Sequence, residues 1–172
     1  TRYWRDWSSD VCSSDLLTYP EKLICFDLDG NGYPDILTGS YPDLLLIKNT
    51  GNLGLFEDPL KVSESDDIGD FYVTDFNNDT HPDILVTHSY LNKLGWFQND
   101  GQGGFYDLHE IAGNFEGYTK VNGADFDRDG DMDLLGSISF TSSLTIHFNL
   151  DGAGTTGTEE IVTRPEISGP SD

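Results

Sequence analysis

The pattern of the stretch Phe26-Asp27-Leu28-Asp29-Gly30-Asn31-Gly32-Tyr33-Pro34-Asp35-Ile36-Leu37 recurs so that three such stretches align in the chain without a gap. It returns as Thr74-Asp75-Phe76-Asn77-Asn78-Asp79-Thr80-His81-Pro82-Asp83-Ile84-Leu85 and as Ala124-Asp125-Phe126-Asp127-Arg128-Asp129-Gly130-Asp131-Met132-Asp133-Leu134-Leu135. Its first Asp therefore stands at 27, 75 and 125. A second marker keeps the same interval: Asn49-Thr50-Gly51-Asn52, Asn99-Asp100-Gly101-Gln102 and Asn149-Leu150-Asp151-Gly152. Two landmarks in step define a repeat of about fifty residues, a period that points to stacked supersecondary units.

Within each unit short apolar runs are broken by Gly, Asn, Asp and Pro, the pattern of strands joined by tight turns, and no helical period competes. The first unit predicts strands over Lys22–Phe26, Ile36–Gly39, Leu44–Lys48 and Gly54–Val62. The second predicts Asp70–Thr74, Ile84–His88, Lys93–Gln98 and Gly104–Ile111, and the third Tyr118–Ala124, Leu134–Ser139, Leu144–Phe148 and Thr158–Thr163. Four strands per unit is the pattern of a propeller blade, since propellers set four-stranded sheets radially and so protect their edges. The expected fold is all-β, a β-propeller fragment of about three four-stranded blades. It should form an open arc with apolar faces exposed at both ends, because a closed ring takes about four to eight blades.

The blades are assigned to 17–68, 69–116 and 117–164, and the polar, Pro-containing 165–172 reads as the connection to a further blade. Residues 1–16 are set aside. The segment Asp6-Trp7-Ser8-Ser9-Asp10-Val11-Cys12-Ser13-Ser14-Asp15-Leu16 is similar to the conceptual translation of a DNA sequencing adapter, and the chain begins with Thr1 rather than Met. A signal peptide is therefore not legible either way. With Cys12 set aside, Cys25 has no partner for an internal disulfide, and its apolar run Leu23-Ile24-Cys25-Phe26 predicts a small buried hydrophobe.

Between the first two strands of each unit lies the pattern D-x-[DN]-x-[DN]-x-x-x-D. Calcium takes six to eight oxygen ligands at about 2.3–2.6 Å, and a loop offering oxygens at alternate positions can wrap one ion. The candidate side-chain ligands are Asp27, Asp29, Asn31 and Asp35; Asp75, Asn77, Asp79 and Asp83; and Asp125, Asp127, Asp129 and Asp133. The seventh position, Tyr33, His81 and Asp131, is expected to supply a backbone carbonyl, so its side chain can vary. The sixth favours Gly for a sharp turn, as in Gly32 and Gly130. Thr80 stands there in the second loop, and a β-branched residue resists positive φ, so the second of up to three calcium sites is expected to be weaker or distorted. Magnesium fits less well because it keeps its waters, and zinc lacks a repeated His or Cys set. An EF-hand closes with Glu at its twelfth position, whereas Thr38, Val86 and Gly136 stand here and the flanks are strand-like. Acidic turns without metal are common between strands, but three in register, each ending in Asp before an apolar pair, favour the metal.

Nine Lys and Arg against 31 Asp and Glu give a formal charge of −22. Such a chain repels nucleic acid and anionic membranes and attracts cations. No apolar run approaches the length that spans a bilayer. Ten of the twelve proposed side-chain ligands are carboxylates, whose repulsion would open the loops without a counter-ion. Calcium is therefore expected to stabilise the fold by mass action.

The three acidic loops, the Asp-Ile-Leu, Asp-Ile-Leu and Asp-Leu-Leu that follow them, and the Asn-Asp-Gly-Gln-Gly-Gly-Phe run from Asn99 to Phe105 resemble the FG-GAP or VCBS repeats of integrin alpha-chain propellers and bacterial surface proteins. The resemblance covers nearly everything after Leu16. It implies a propeller, commonly of seven blades, with calcium in the hairpin loop between the first two strands of a blade. It also implies an extracellular or cell-surface setting, and adhesion or protein or carbohydrate binding. The departures are Thr80 and the third turn, Asp151 to Gly157, which lacks the aromatic matching Phe56 and Phe105.

His88, His109 and His147 have no nucleophile at a repeated spacing, Ser137, Ser139, Ser142 and Ser143 form no nucleophile elbow, and Trp96 and Phe97 suit packing between blades better than sugar stacking. The expected function is a non-catalytic calcium-binding module with an extracellular protein or carbohydrate ligand and the remaining blades of its parent chain as partners. Two alternatives are the accessory propeller of a secreted polysaccharide-active enzyme and a purely structural repeat.

Overall fold

The computed structural model describes residues 20–40, 43–53, 55–63, 68–88, 91–113 and 117–162, so the segments 1–16 and 165–172 lie outside the described residues. Within them the chain forms three four-stranded antiparallel sheets, and no described residue is helical. The first sheet is β1 (Pro20–Phe26), β2 (Asp35–Ser40), β3 (Asp43–Ile47) and β4 (Leu60–Lys61). The second is β5 (Ile68–Thr74), β6 (Asp83–His88), β7 (Lys93–Phe97) and β8 (His109–Gly113). The third is β9 (Tyr118–Ala124), β10 (Asp133–Ile138), β11 (Ser143–Asn149) and β12 (Thr156–Val162). Each sheet is a meander in sequence order, and equivalent residues keep equivalent register: Leu23 pairs with Thr38, Phe71 with Val86 and Val121 with Gly136. These are three blades of a β-propeller.

The blades cohere through two apolar layers. Between the first and second lie Leu28, Leu37, Leu44 and Leu46 against Phe71, Val73, Ile84 and Phe97. Between the second and third lie Phe76, Leu85 and Trp96 against Tyr118, Val121 and Leu134. Each such side chain contributes about 1.5–3 kcal/mol on burial, so these layers dominate the cohesion. The middle blade is covered on both sides, which is why every residue of β6 is buried, whereas β11 alternates buried with more exposed positions. Across the inner strands runs a polar tie. Lys22 Nζ donates to Asp70 Oδ1 at 2.8 Å and to the Phe71 carbonyl at 2.6 Å, while Asp70 Oδ2 accepts from Val121 N at 3.2 Å.

Two expectations are corrected. Cys25 is exposed, not buried. Its face of β1 corresponds to that of Val73 in β5, which the preceding blade covers, and no described residue covers it in the first blade. The fourth strands also start later than expected, β4 at Leu60 and β8 at His109. After Asn49 and Asn99 the chain folds back on itself, making isolated bridges Asn49 to Phe56 and Asn99 to Phe105, and only then reaches the sheet edge. In the third blade Thr156 takes the aromatic's register opposite Asn149, so β12 begins at the bridge itself.

Candidate metal centres

Each acidic loop connects the first two strands of its blade and is held open by its own backbone. In the first, Asp27 Oδ1 accepts from Asn31 N at 3.1 Å, Asp27 Oδ2 from Gly32 N at 2.8 Å, and Asn31 Oδ1 from Tyr33 N at 2.8 Å. The second repeats this: Asp75 accepts from Asp79 N and Thr80 N, and Asp79 Oδ1 from His81 N at 2.8 Å. In the third, Asp125 accepts from Arg128 N and Gly130 N, Asp127 from Asp129 N, and Asp129 from Asp131 N. These bonds fix the acidic side chains against the backbone of their own loop. The turn needs two left-handed residues per loop, not one. The sixth position has φ 85° at Gly32, 73° at Thr80 and 100° at Gly130, and the fourth has 72° at Gly30, 58° at Asn78 and 68° at Arg128. Thr80 therefore adopts the conformation its branched side chain disfavours, and the second loop carries that strain.

The ninth residue braces the loop. Asp35 Oδ2 accepts from Leu28 N at 2.9 Å and Oδ1 from Asn49 N at 2.7 Å, tying the loop's entry to the end of β3. Asp83 does the same with Phe76 N and Asn99 N, and Asp133 with Phe126 N and Asn149 N. All three carboxylates are buried. Desolvation pushes Asp83 up to about 6 against the bonds from Asn99 and Phe76, helped by repulsion from Asp79 and Asp75.

Carboxylate oxygens of Asp27, Asp29 and Asp35 lie within 4.8 Å of one another, as do those of Asp125, Asp127 and Asp133. Asp127 is raised by desolvation and by the neighbouring Asp129 and Asp133 charges, against the bond from Asp129 N. The second loop forms no such triplet, since Asn77 stands at its third position and donates to Asp79 Oδ2 at 2.8 Å, where Gln98 also donates at 3.4 Å. Desolvation opposes, but the bonds from His81, Asn77 and Gln98 outweigh it and hold Asp79 below the usual carboxylate range. The ion pairs of Lys22, Lys61, Lys93 and Lys120 go to Asp70, Asp43 and Glu110, outside the loops. An all-oxygen, mostly carboxylate donor set fits a hard divalent cation.

The seventh residue, expected to offer a carbonyl, has a packing role through its side chain. A side-chain carbon on Gly51 would lie 2.5 Å from the Tyr33 ring, one on Gly101 2.7 Å from His81, and one on Gly152 2.7 Å from Asp131 Oδ1, so each lies over the turn that follows the third strand. Asp131 also accepts from Asn78 Nδ2 of the preceding blade at 2.6 Å. The Asn of the second marker has a role the sequence reading missed. Asn99 Nδ2 donates across the blade boundary to the Leu28 carbonyl at 2.8 Å, and Asn149 Nδ2 to the Phe76 carbonyl at 2.8 Å. Each staples the preceding blade's acidic loop. The signal was its threefold recurrence, used above only as a ruler.

His88 and His147 are buried in strands, and Trp96 stacks on His109 at 4.9 Å and meets Phe76 edge-on at 5.3 Å, which places it in the blade-to-blade packing.

Three acidic-loop blades stapled in series define a repeat of propeller type. The chain belongs to the FG-GAP-like repeat family, which matches residues 27–86 and 75–136. Among solved structures it is similar to a lectin of Agrocybe aegerita described as recognising non-reducing terminal N-acetylglucosamine, at 22% identity and a TM-score of 0.61, over 84% of this chain and 38% of that one. It is also similar to the Tc holotoxin pore of Photorhabdus luminescens, at 19% identity and a TM-score of 0.51, over 86% of this chain and 7% of that one. The chain thus spans well under half of either, and the likeness is one of fold. No curated protein matches it.

Proposed function

We propose that this chain is a calcium-stabilised FG-GAP binding module that works outside the cell, takes a carbohydrate or protein ligand, and has no catalytic role of its own. The observation that carries the reading is the pair of three-carboxylate clusters at equivalent hairpins, each with oxygens within 4.8 Å. Calcium would be held by Asp27, Asp29, Asn31 and Asp35 in the first loop and by Asp125, Asp127, Asp129 and Asp133 in the third. Asp75, Asn77, Asp79 and Asp83 form the weaker second site. Millimolar extracellular calcium suits modest sites of this kind.

Carbohydrate is supported by a pocket of about 570 Å³ between the second and third blades, lined by Asn77, Trp96, Gln98, His109, Glu110 and Thr155. The exposed His109 ring offers an apolar face, backed by Trp96, and the amides and carboxylate offer hydrogen bonds to hydroxyl groups. Calorimetric titration tests the calcium reading. Two to three sites are expected, with a melting shift that chelator reverses. Free calcium at 100 times Kd adds about 2.7 kcal/mol per site. No heat and no shift with calcium would leave only a structural repeat. A glycan array in calcium, repeated with His109→Ala, tests the pocket.

A further inference from the structure

The third turn lacks the aromatic of the repeat, and that loss falls on the wall of the pocket between the second and third blades. Phe56 and Phe105 bridge back to Asn49 and Asn99, whereas Thr156 takes that register opposite Asn149. At the boundary of the first and second blades, Phe105 packs against the apolar layer to which Leu46 belongs. Lys48 spans the same boundary, its Nζ donating to the Gln102 carbonyl at 2.8 Å. At the next boundary Thr156, Trp96 and Gln98 stand in the places of Phe105, Leu46 and Lys48, and all three line the pocket of about 570 Å³. Among the described residues, no side chain of the third turn joins the apolar layer there. Gln98 does not cross the boundary as Lys48 does; it donates within its own blade to Asp79 Oδ2 at 3.4 Å. Trp96 outgrows Leu46 and reaches the third turn, where a side-chain carbon on Gly154 would lie 2.5 Å from its ring, but it leaves the rest of the gap open.

We infer that Thr156 and Gln98 open this pocket, and that it takes one uncharged sugar ring in the place that Phe105 and Lys48 close at the other boundary. The inference rests on the carbohydrate reading above and narrows it to a ligand class and two determining residues. A pyranose and a phenyl group are both six-membered rings with an apolar face, so the vacated place suits one sugar residue resting on the His109 ring, which stacks on Trp96 at 4.9 Å. The Asn77 and Gln98 amides and the Thr155 hydroxyl lie around it to meet the sugar hydroxyls. Among the described residues no Lys or Arg lines the pocket, and its carboxylate, Glu110, is paired with Lys93 at 2.6 Å. An acidic sugar would give up its water there without a cation to replace it, so the chemistry selects a neutral ring.

The test is saturation-transfer NMR and calorimetric titration of the full chain, in millimolar calcium, with a panel of free neutral monosaccharides and the matching uronic acids. At least one neutral sugar should bind, and its uronic acid should bind at least about tenfold more weakly. Thr156→Phe restores the ring of the repeat and Gln98→Lys restores the reach of Lys48, so each should weaken the neutral sugar by at least about tenfold. Thr156→Phe fills a gap rather than making one, so its Tm should be at or above that of the parent chain. Gln98→Lys, with circular dichroism as the check on folding, is the second variant should the phenyl ring disturb the turn. Sugar binding undiminished in both folded variants overturns the inference and leaves the carbohydrate reading standing, with the sugar held elsewhere. A uronic acid bound as tightly as its neutral counterpart overturns the ligand class. No sugar bound by the parent chain overturns the inference and the carbohydrate reading together.

Discussion

Asn99→Ala should cost far more than the same change at Asn49, although the two residues occupy the same place in the repeat. Asn99 is buried; its Nδ2 donates to the carbonyls of Leu28 and Pro82 at 2.8 and 2.9 Å, and its Oδ1 accepts from Gly101 N at 2.9 Å. Truncation leaves two carbonyls and one N–H unmet where water has poor access. At about 1 kcal/mol net per bond, the loss is roughly 3 kcal/mol. For a chain of this size that lowers Tm by about 6–12 °C. Among the described residues Asn49 holds the Pro34 carbonyl at 3.2 Å and Gly51 N at 3.0 Å, both within reach of solvent, so Asn49→Ala should cost under about 1 kcal/mol. Urea unfolding, with m compared between variants, measures both. Asn99→Asp adds a control: it keeps the acceptor for Gly101 but sets a carboxylate against two carbonyls, and should be at least as damaging as Ala. If Asn99→Ala and Asn49→Ala lie within about 0.5 kcal/mol of each other, the staple adds nothing to the joint between blades.

Thr80→Gly should stabilise the chain by about 1 kcal/mol, because it relieves a β-branched residue at φ 73°, and should tighten calcium at the second loop, read as a smaller Kd in a titration. His147 is buried, and desolvation takes it down from 6.5 to about 4. The unfolded chain therefore binds the proton first, so the stability this group contributes is complete above pH 6.5 and is lost as pH falls toward 4, by up to about 3 kcal/mol. Replacing it with Phe, the residue at the same register in the second blade, should flatten that part of the pH–stability curve. Gly154→Ala puts a methyl 2.5 Å from the Trp96 ring at φ 82°, and should destabilise by about 2 kcal/mol or more and red-shift Trp fluorescence as the second and third blades part.

The threefold repeat, the strand content and the acidic loops were legible because they rest on spacing along the chain. Alternating oxygens within nine residues and a left-handed sixth position are local requirements, and Asp27, Asp29, Asp125 and Asp127 come together much as that spacing demands. What one blade does to the next is not local. Nothing near Asn99 says that its amide lands on the carbonyl of Leu28, 71 residues earlier. Nothing in Leu23-Ile24-Cys25-Phe26 says that Leu23 and Cys25 lie on a face covered only when a blade precedes it. Burial there depends on a neighbouring sheet, and equivalent positions in β1, β5 and β9 differ because their neighbours differ. Local residue chemistry thus determined the loops and the blades. The packing of one blade on another decided which groups are stapled, which are buried, and which still face outward.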